Sequence, residues 1–323
     1  MRAIAILLVL VTGGASQGAA PPPVEALVRF QIKSLGDDSF DVRERASARL
    51  AELGRRAAPA LQAVFPNADP EIRSRVRRLL DKLSADAERE ARLLVRLGVS
   101  LTLADWEDAS SPIIEVTFPR LPVEEHHLQL LVLLPRLQAL RCNLSDKVTD
   151  DSFSCIAAAP FLELLAINSG VITDRGLRHL ARIRTLTNLN VTSPAITGTC
   201  FKAFKNDALR RLRCHSFAFT DEGMEAIGRL DRLENLDLTG SDDITDKGIK
   251  HLVKLRRLQV LMIQSDSLTD ACLPHFASHQ TLHLFDLKSS KITKKAHAAI
   301  ELTLPQLAAP THSEPRIPTP PKD

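Results

Sequence analysis

The sequence predicts an α/β fold, a solenoid with a parallel β-sheet on its concave face and helices on its convex face, preceded by a small all-α region. Three observations carry this prediction. An apolar residue, a threonine and usually an aspartate recur at Val148, Ile172, Ile196, Phe219, Ile244, Leu268 and Ile292, in steps of 24, 24, 23, 25, 24 and 24 residues. A second phrase, L-x-x-L-x-L, keeps the same beat ten or eleven residues ahead of the first, as in Leu186, Leu189 and Val191 or Leu233, Leu236 and Leu238. The third is a stretch over residues 24–98 that lacks this beat and carries helix-start signals instead. Self-similarity at a fixed period of this length marks stacked supersecondary units, each burying its apolar side against the next.

Taken in order, residues 1–20 have the pattern of an export signal peptide. Arg2 supplies the positive end, residues 3–11 are apolar but too few to span a bilayer, and Gly13, Gly14, Ala15, Ser16, Gly18 and Ala19 offer cleavage positions. No later stretch is apolar enough for a membrane span, so the expectation is an exported protein, periplasmic or extracellular. Residues 24–98 read as short antiparallel helices. Asp41-Val42-Arg43 opens one and Asp69-Pro70-Glu71-Ile72-Arg73 another, while Gly54 ends a helix and Pro59 starts the next. In residues 99–118, Val99, Leu101 and Leu103 alternate with smaller or polar residues before a polar turn and the β-rich run Ile113, Ile114, Val116 and Phe118. This predicts a hairpin that caps the array and supplies its first strand.

Over residues 113–307 the L-x-x-L-x-L registers begin at Ile113, Leu137, Leu162, Leu186, Leu209, Leu233, Leu258 and Leu282, with a partial ninth at Leu304 and Leu307. Between strands, I-T-D-x-G-L-x-x-L encodes a helix. Threonine caps it, aspartate suits the positive end of its dipole, and pairs such as Leu177 and Leu180 face inward. Residues 308–323, with Pro310, Pro315, Pro318, Pro320 and Pro321 among polar neighbours, predict a disordered tail.

The L-x-x-L-x-L core is that of a leucine-rich repeat. The units resemble those of exported bacterial leucine-rich-repeat proteins that read close to L-x-x-L-D-L-S-G-T-x-I-T-D-x-G-L-x-x-L. The likeness is best at Leu236-Asp237-Leu238-Thr239-Gly240 and Ile244-Thr245-Asp246-Lys247-Gly248-Ile249. It breaks at Thr197-Gly198-Thr199-Cys200 and at Thr293-Lys294-Lys295-Ala296, where the aspartate and glycine are lost. The repeats are more loosely similar to those of eukaryotic F-box adaptors, whose cysteines are missing here, so that role is not implied. The D-V-R and D-x-x-I-R starts in residues 24–98 resemble HEAT-type α-solenoid repeats.

Composition narrows the function. A net charge of +3 does not by itself imply a nucleic-acid or anionic-membrane partner, and no tyrosine and a single tryptophan leave little for an aromatic cage. Neither a metal-ligand spacing nor a nucleophile, phosphate-loop or dinucleotide motif is present, so no cofactor, metal or catalytic residue is expected. The recurring Thr-Asp pairs sit where helix caps belong, and His179, His251 and His275 share one repeat position on the helices. Cys142 and Cys214 occupy core slots, and Cys155, Cys200 and Cys272 lie in non-adjacent repeats, which predicts buried thiols rather than disulfides. The basic run Arg73, Arg75, Arg77, Arg78 and Lys82 reads as a solvated helix face.

Side chains alternate along a strand, so the third and fifth residues of each L-x-x-L-x-L point outward onto the concave face. The candidate partner-binding residues among them are Arg141, Asn188, Asn190, Arg211, Arg213, Asn235 and Asp237, with His215 just beyond. Arg211, Arg213 and His215 are expected to form a positive centre, and Val260, Met262 and Leu284 an apolar end. The expected function is a non-enzymatic protein-binding or scaffold role on this face. A cell-wall or glycan binder and a hydrolase are the alternatives.

Overall fold

The computed structural model describes residues 24–105, 107, 108, 110–119, 122–205, 208–304 and 307; the export signal and the Pro-rich tail read from the sequence lie outside them. A single sheet of nine strands runs through the molecule in strict sequence order. The first two strands, β1 (Ser100–Leu103) and β2 (Ile113–Thr117), are antiparallel. From β2 onward every pairing is parallel, through β3 (Ala139–Asn143), β4 (Leu164–Asn168), β5 (Asn188–Thr192), β6 (Arg211–His215), β7 (Asn235–Thr239), β8 (Val260–Gln264) and β9 (Leu284–Lys288). The repeat is therefore a leucine-rich-repeat solenoid with eight parallel strands.

Register explains why the sequence folds this way. Leu140, Leu165, Leu189, Leu212, Leu236, Leu261 and Phe285 align from β3 to β9 and are all buried, as is the next inward row from Cys142 to Leu287. A one-residue slip would turn both rows to solvent, so the alternation locks the pairing. A row of serines, buried except for the half-buried Ser289, ties successive repeats together. Ser193, Ser216, Ser265 and Ser289 donate to the carbonyls of Ile172, Ile196, Ile244 and Leu268 at 2.5–2.7 Å. Each bond satisfies a carbonyl left without a partner where the chain turns from strand to helix.

Among the described residues, four α-helices precede the sheet: α1 (Val24–Ser34), α2 (Phe40–Leu53), α3 (Ala58–Val64) and α4 (Pro70–Leu94). Asp69 caps α4 by accepting from the Glu71 amide at 2.9 Å, with Pro70 in the first turn. Val28, Leu35, Leu50, Leu61 and Val76 form a small core of their own. Farther along α4, Ala87, Ala91 and Leu94 belong instead to the solenoid core, and Leu80 and Leu83 pack against both. The long helix thus closes the open end of the repeat array and joins the two cores.

Two expectations change. Arg75, one member of the basic run, is not solvated: it is 8% exposed, with Nη1 2.6 Å from Glu44 on α2 and Nε 3.6 Å from Glu71. The Glu44 hydrogen bond raises its pKa against the opposing effect of burial. At the far end there is no ninth repeat strand among the described residues. The chain forms a helix, Lys294–Thr303, and Leu304 and Leu307 pack against the core as a closing layer. The third core slot of that register is Ala309, followed by Pro310, so no strand-forming set is complete there.

Candidate functional site

Seven of the eight candidate residues (Arg141, Asn188, Asn190, Arg211, Arg213, Asn235 and Asp237) line one open cleft on the concave face, with a volume of about 610 Å³. Leu164 and Ala166 bound it on the β4 side, and Val260 and Met262 on the β8 side. Two straight rows cross the strands: Leu164, Asn188, Arg211, Asn235 and Val260, then Ala166, Asn190, Arg213, Asp237 and Met262. Their alternation with buried neighbours is the period-two pattern of a strand with one face on the core. His215 stands at the end of β6, outside the cleft lining, where its Nδ1 shares a hydrogen bond with the Thr239 hydroxyl.

The positive centre is narrower than expected. Arg213 donates through Nε to Asp237 Oδ2 at 2.7 Å, and Arg141 pairs with Glu115 on β2. Both pairings neutralise a cation against a carboxylate on the neighbouring strand. Arg211 is exposed and has no ion-pair partner among the described residues, so it is the one uncompensated cation in the cleft. The side-chain amides of Asn188, Asn190 and Asn235 make no hydrogen bond to another described residue. The second carboxylate oxygen of Asp237, Oδ1, is buried and likewise unpartnered among them. A buried acceptor left unpaired costs its desolvation, so Asp237 is held at a cost within the cleft wall.

One exposed residue escaped the sequence reading. Phe217 follows β6 in the loop Ser216-Phe217-Ala218-Phe219 and is 76% exposed, with its ring beside Gly240. Phe219 takes the slot that a smaller aliphatic residue holds in the other repeats, and the equivalents of Phe217 are Asp146, Gly170, Pro194, Asp242, Asp266 and Ser290. Comparing those loop positions across repeats would have singled it out. Exposed Val171, Pro194 and Ala195 continue the apolar ridge along the rim toward the first repeats.

The other candidates become structural. Asp150, Asp174, Asp221, Asp246 and Asp270 do more than face a helix dipole. Each accepts from the amide and hydroxyl of the capping threonine one repeat on: Thr173, Thr197, Thr245, Thr269 and Thr293. The glycine of I-T-D-x-G belongs to the same joint, since a Cβ on Gly176 or Gly248 would press on the carboxylate of Asp150 or Asp221. Cys200 and Cys272 stand at that fifth place, and both of their turns wind as 3₁₀ rather than α-helix. The five cysteines are buried and none is in a disulfide, and burial pushes the thiols of Cys142 and Cys272 up to about 12. His179, His251 and His275 are half-buried, and no group of three or more His, Cys, Asp or Glu among the described residues is placed to hold a metal ion.

Fold and face together define the class, a leucine-rich-repeat solenoid with a polar, partly unspent concave surface. No known family profile matches the sequence, and no curated protein matches it. Among solved structures it is similar to an internalin from Listeria monocytogenes at 14% identity, over 55% of this chain and 54% of that one, with a TM-score of 0.38. Internalin C2 from the same organism gives 15% identity, 56% and 81% coverage, and a TM-score of 0.36. The Arabidopsis receptor kinase HAESA gives 16% identity, 65% and 46% coverage, and a TM-score of 0.33. The chain spans about half the length of the first internalin.

Proposed function

We propose that this chain is an exported, non-catalytic binding or scaffold protein that docks a protein partner on its concave face, with Asn188, Asn190, Arg211 and Asn235 at the centre of contact. The observation that carries the reading is the store of unspent hydrogen-bonding groups in a single cleft: three side-chain amides and one free guanidinium. Solenoids offer extended concave surfaces for this use. Phe217 on the rim supplies an apolar anchor of the kind that dominates interface energetics. Export rests on the basic-apolar-small pattern of residues 1–20.

The test is crosslinking and mass spectrometry on the native exported protein, comparing the natural chain with a double variant carrying Ala166→Arg and Arg211→Glu. Both positions are on the surface of the cleft, so the variant keeps its core. Loss of the crosslinked partners is the expected result, and unchanged partners overturn the reading. N-terminal sequencing of the exported protein checks the leader: the mature chain is expected to start between residues 14 and 24, and an intact Met1 overturns export by cleavage.

A further inference from the structure

We infer that the segment bound on this face is an extended peptide stretch with an acidic side chain at its centre and apolar side chains about three residues away on each side. The inference rests on the concave face being the binding face. Because β4 to β8 are parallel and consecutive, a segment lying across them meets their outward residues in a fixed order. That order is apolar at Leu164 and Ala166, amide at Asn188 and Asn190, cationic at Arg211, amide again at Asn235, and apolar at Val260 and Met262. The surface is thus close to a palindrome centred on β6.

Spacing converts the order into a sequence pattern. Neighbouring strands lie about 4.8 Å apart and an extended chain advances about 3.4 Å per residue, so β4 to β6 corresponds to about three residues and β4 to β8 to about six. Charge settles the centre. Arg213 is held by Asp237 and Arg141 by Glu115, while Arg211 keeps its full fork of donors for a carboxylate from outside. A basic side chain arriving at the same place would meet carboxylates that each already hold an arginine, Asp237 with Arg213 and Glu115 with Arg141. The flanking asparagines each carry a donor and an acceptor, which suits the main chain of an extended segment and not that of a helix, whose amides are already bonded.

The experiment is a display selection of random nonapeptides on the immobilised full chain. An acidic polysaccharide, polygalacturonate, is tested alongside for binding to the same protein. Selected peptides are expected to share an acidic residue with apolar residues about three positions before and after it. Replacing that acid by its amide weakens binding at least tenfold, and Arg211→Ala gives the same loss. Arg211→Glu restores binding to the version of the peptide with lysine at the centre, a gain that a folding defect does not mimic. Four outcomes overturn the inference: peptides without the central acid, acid-dependent binding indifferent to Arg211→Ala, no selection at all, or Arg211-dependent binding of polygalacturonate only. The concave-face reading is separated by Ala166→Arg. If this substitution blocks peptides that lack the acid, the face stands and the acidic pattern falls. If it leaves every selected peptide bound, the face itself falls.

Discussion

Two joints of the same solenoid are made in different ways. Between the repeats that start at Ile172 and Ile196, the Asp174 carboxylate accepts from the Thr197 amide at 2.7 Å, the Thr197 hydroxyl at 2.8 Å and the Cys200 amide at 2.8 Å. Between the repeats that start at Ile196 and Phe219, the aspartate position is Gly198 and no carboxylate is present. There the Thr220 amide and hydroxyl donate to the Thr197 carbonyl at 3.1 Å and 3.3 Å. Gly198, at φ 88°, lies against Gly223 and the Phe219 ring. The strands on either side keep the same register. The joint therefore needs an acceptor for the capping threonine, not a carboxylate as such. Where side-chain charge is lost, close approach of two backbones replaces it, and this joint has the one 23-residue step in the series.

The two kinds of joint should fail differently. The largest effect is expected at the glycine joint, because its obstacles are backbone atoms that do not move aside. A Cβ at position 223 overlaps the Thr197 carbonyl oxygen, and at 198 it meets the Phe219 ring and the Gly223 Cα in a conformation that disfavours any side chain. Gly223→Ala and Gly198→Ala should each cost about 3 kcal/mol or more by urea unfolding. Gly54→Ala is the control: φ is also positive, at 57°, but nothing lies within 4 Å, so the cost is about 1 kcal/mol. Equal costs at positions 54 and 223 would mean that close approach is not what holds this joint.

Next in size is the carboxylate joint. Asp174→Ala strands three donors and should cost about 3 kcal/mol, whereas Asp270→Ala, in the exposed last joint, should cost about 1 kcal/mol. The same contrast appears in pH. Burial pushes the Asp174 carboxyl up, but the amides of Cys200 and Thr197 and the Thr197 hydroxyl outweigh it and hold the pKa below its ordinary 3.8. The folded value is the lower one, so the contribution is complete above the unfolded value and is lost as pH falls through the folded value. Urea midpoints measured from about pH 5 down to about pH 2 should fall less steeply in Asp174→Asn than in the natural chain. Parallel curves would remove the carboxylate from this role.

How much of this was legible in the sequence follows from the range of each interaction. Outward and inward rows depend only on period two within a strand, so the candidate residues on the concave face stand where the alternation puts them. Pairing across strands is one step less visible. Arg213 and Asp237 are 24 residues apart in one register, so their mutual neutralisation can be read from the repeat, whereas Arg141 meets Glu115 on a diagonal, since Glu115 is in register with Ala139 and Arg141 with Thr117. The role of the repeated aspartate is hidden because its partners lie in the next repeat, and its position at a helix start already has a sufficient local explanation. The burial of Arg75 depends on Glu44, 31 residues away on a different helix, and no periodicity within α4 announces it.

The smallest effect belongs to the concave face itself, and for that reason it separates stability from function. Arg213 is half exposed, and its pair with Asp237 lies in an open cleft, so solvent screening leaves it worth little to folding. Arg213→Ala leaves the 13%-exposed Asp237 side chain without its partner, and with the arginine side screened it should cost no more than about 1 kcal/mol. It also frees the Asp237 carboxylate beside Arg211, which lowers the net positive charge of the cleft and offers Arg211 a partner inside the protein. Peptide binding measured by fluorescence anisotropy should therefore weaken in Arg213→Ala although the protein stays folded, and Asp237→Asn in the same background should restore it. Equal binding in all three proteins would show that Arg211 does not depend on the pair beside it.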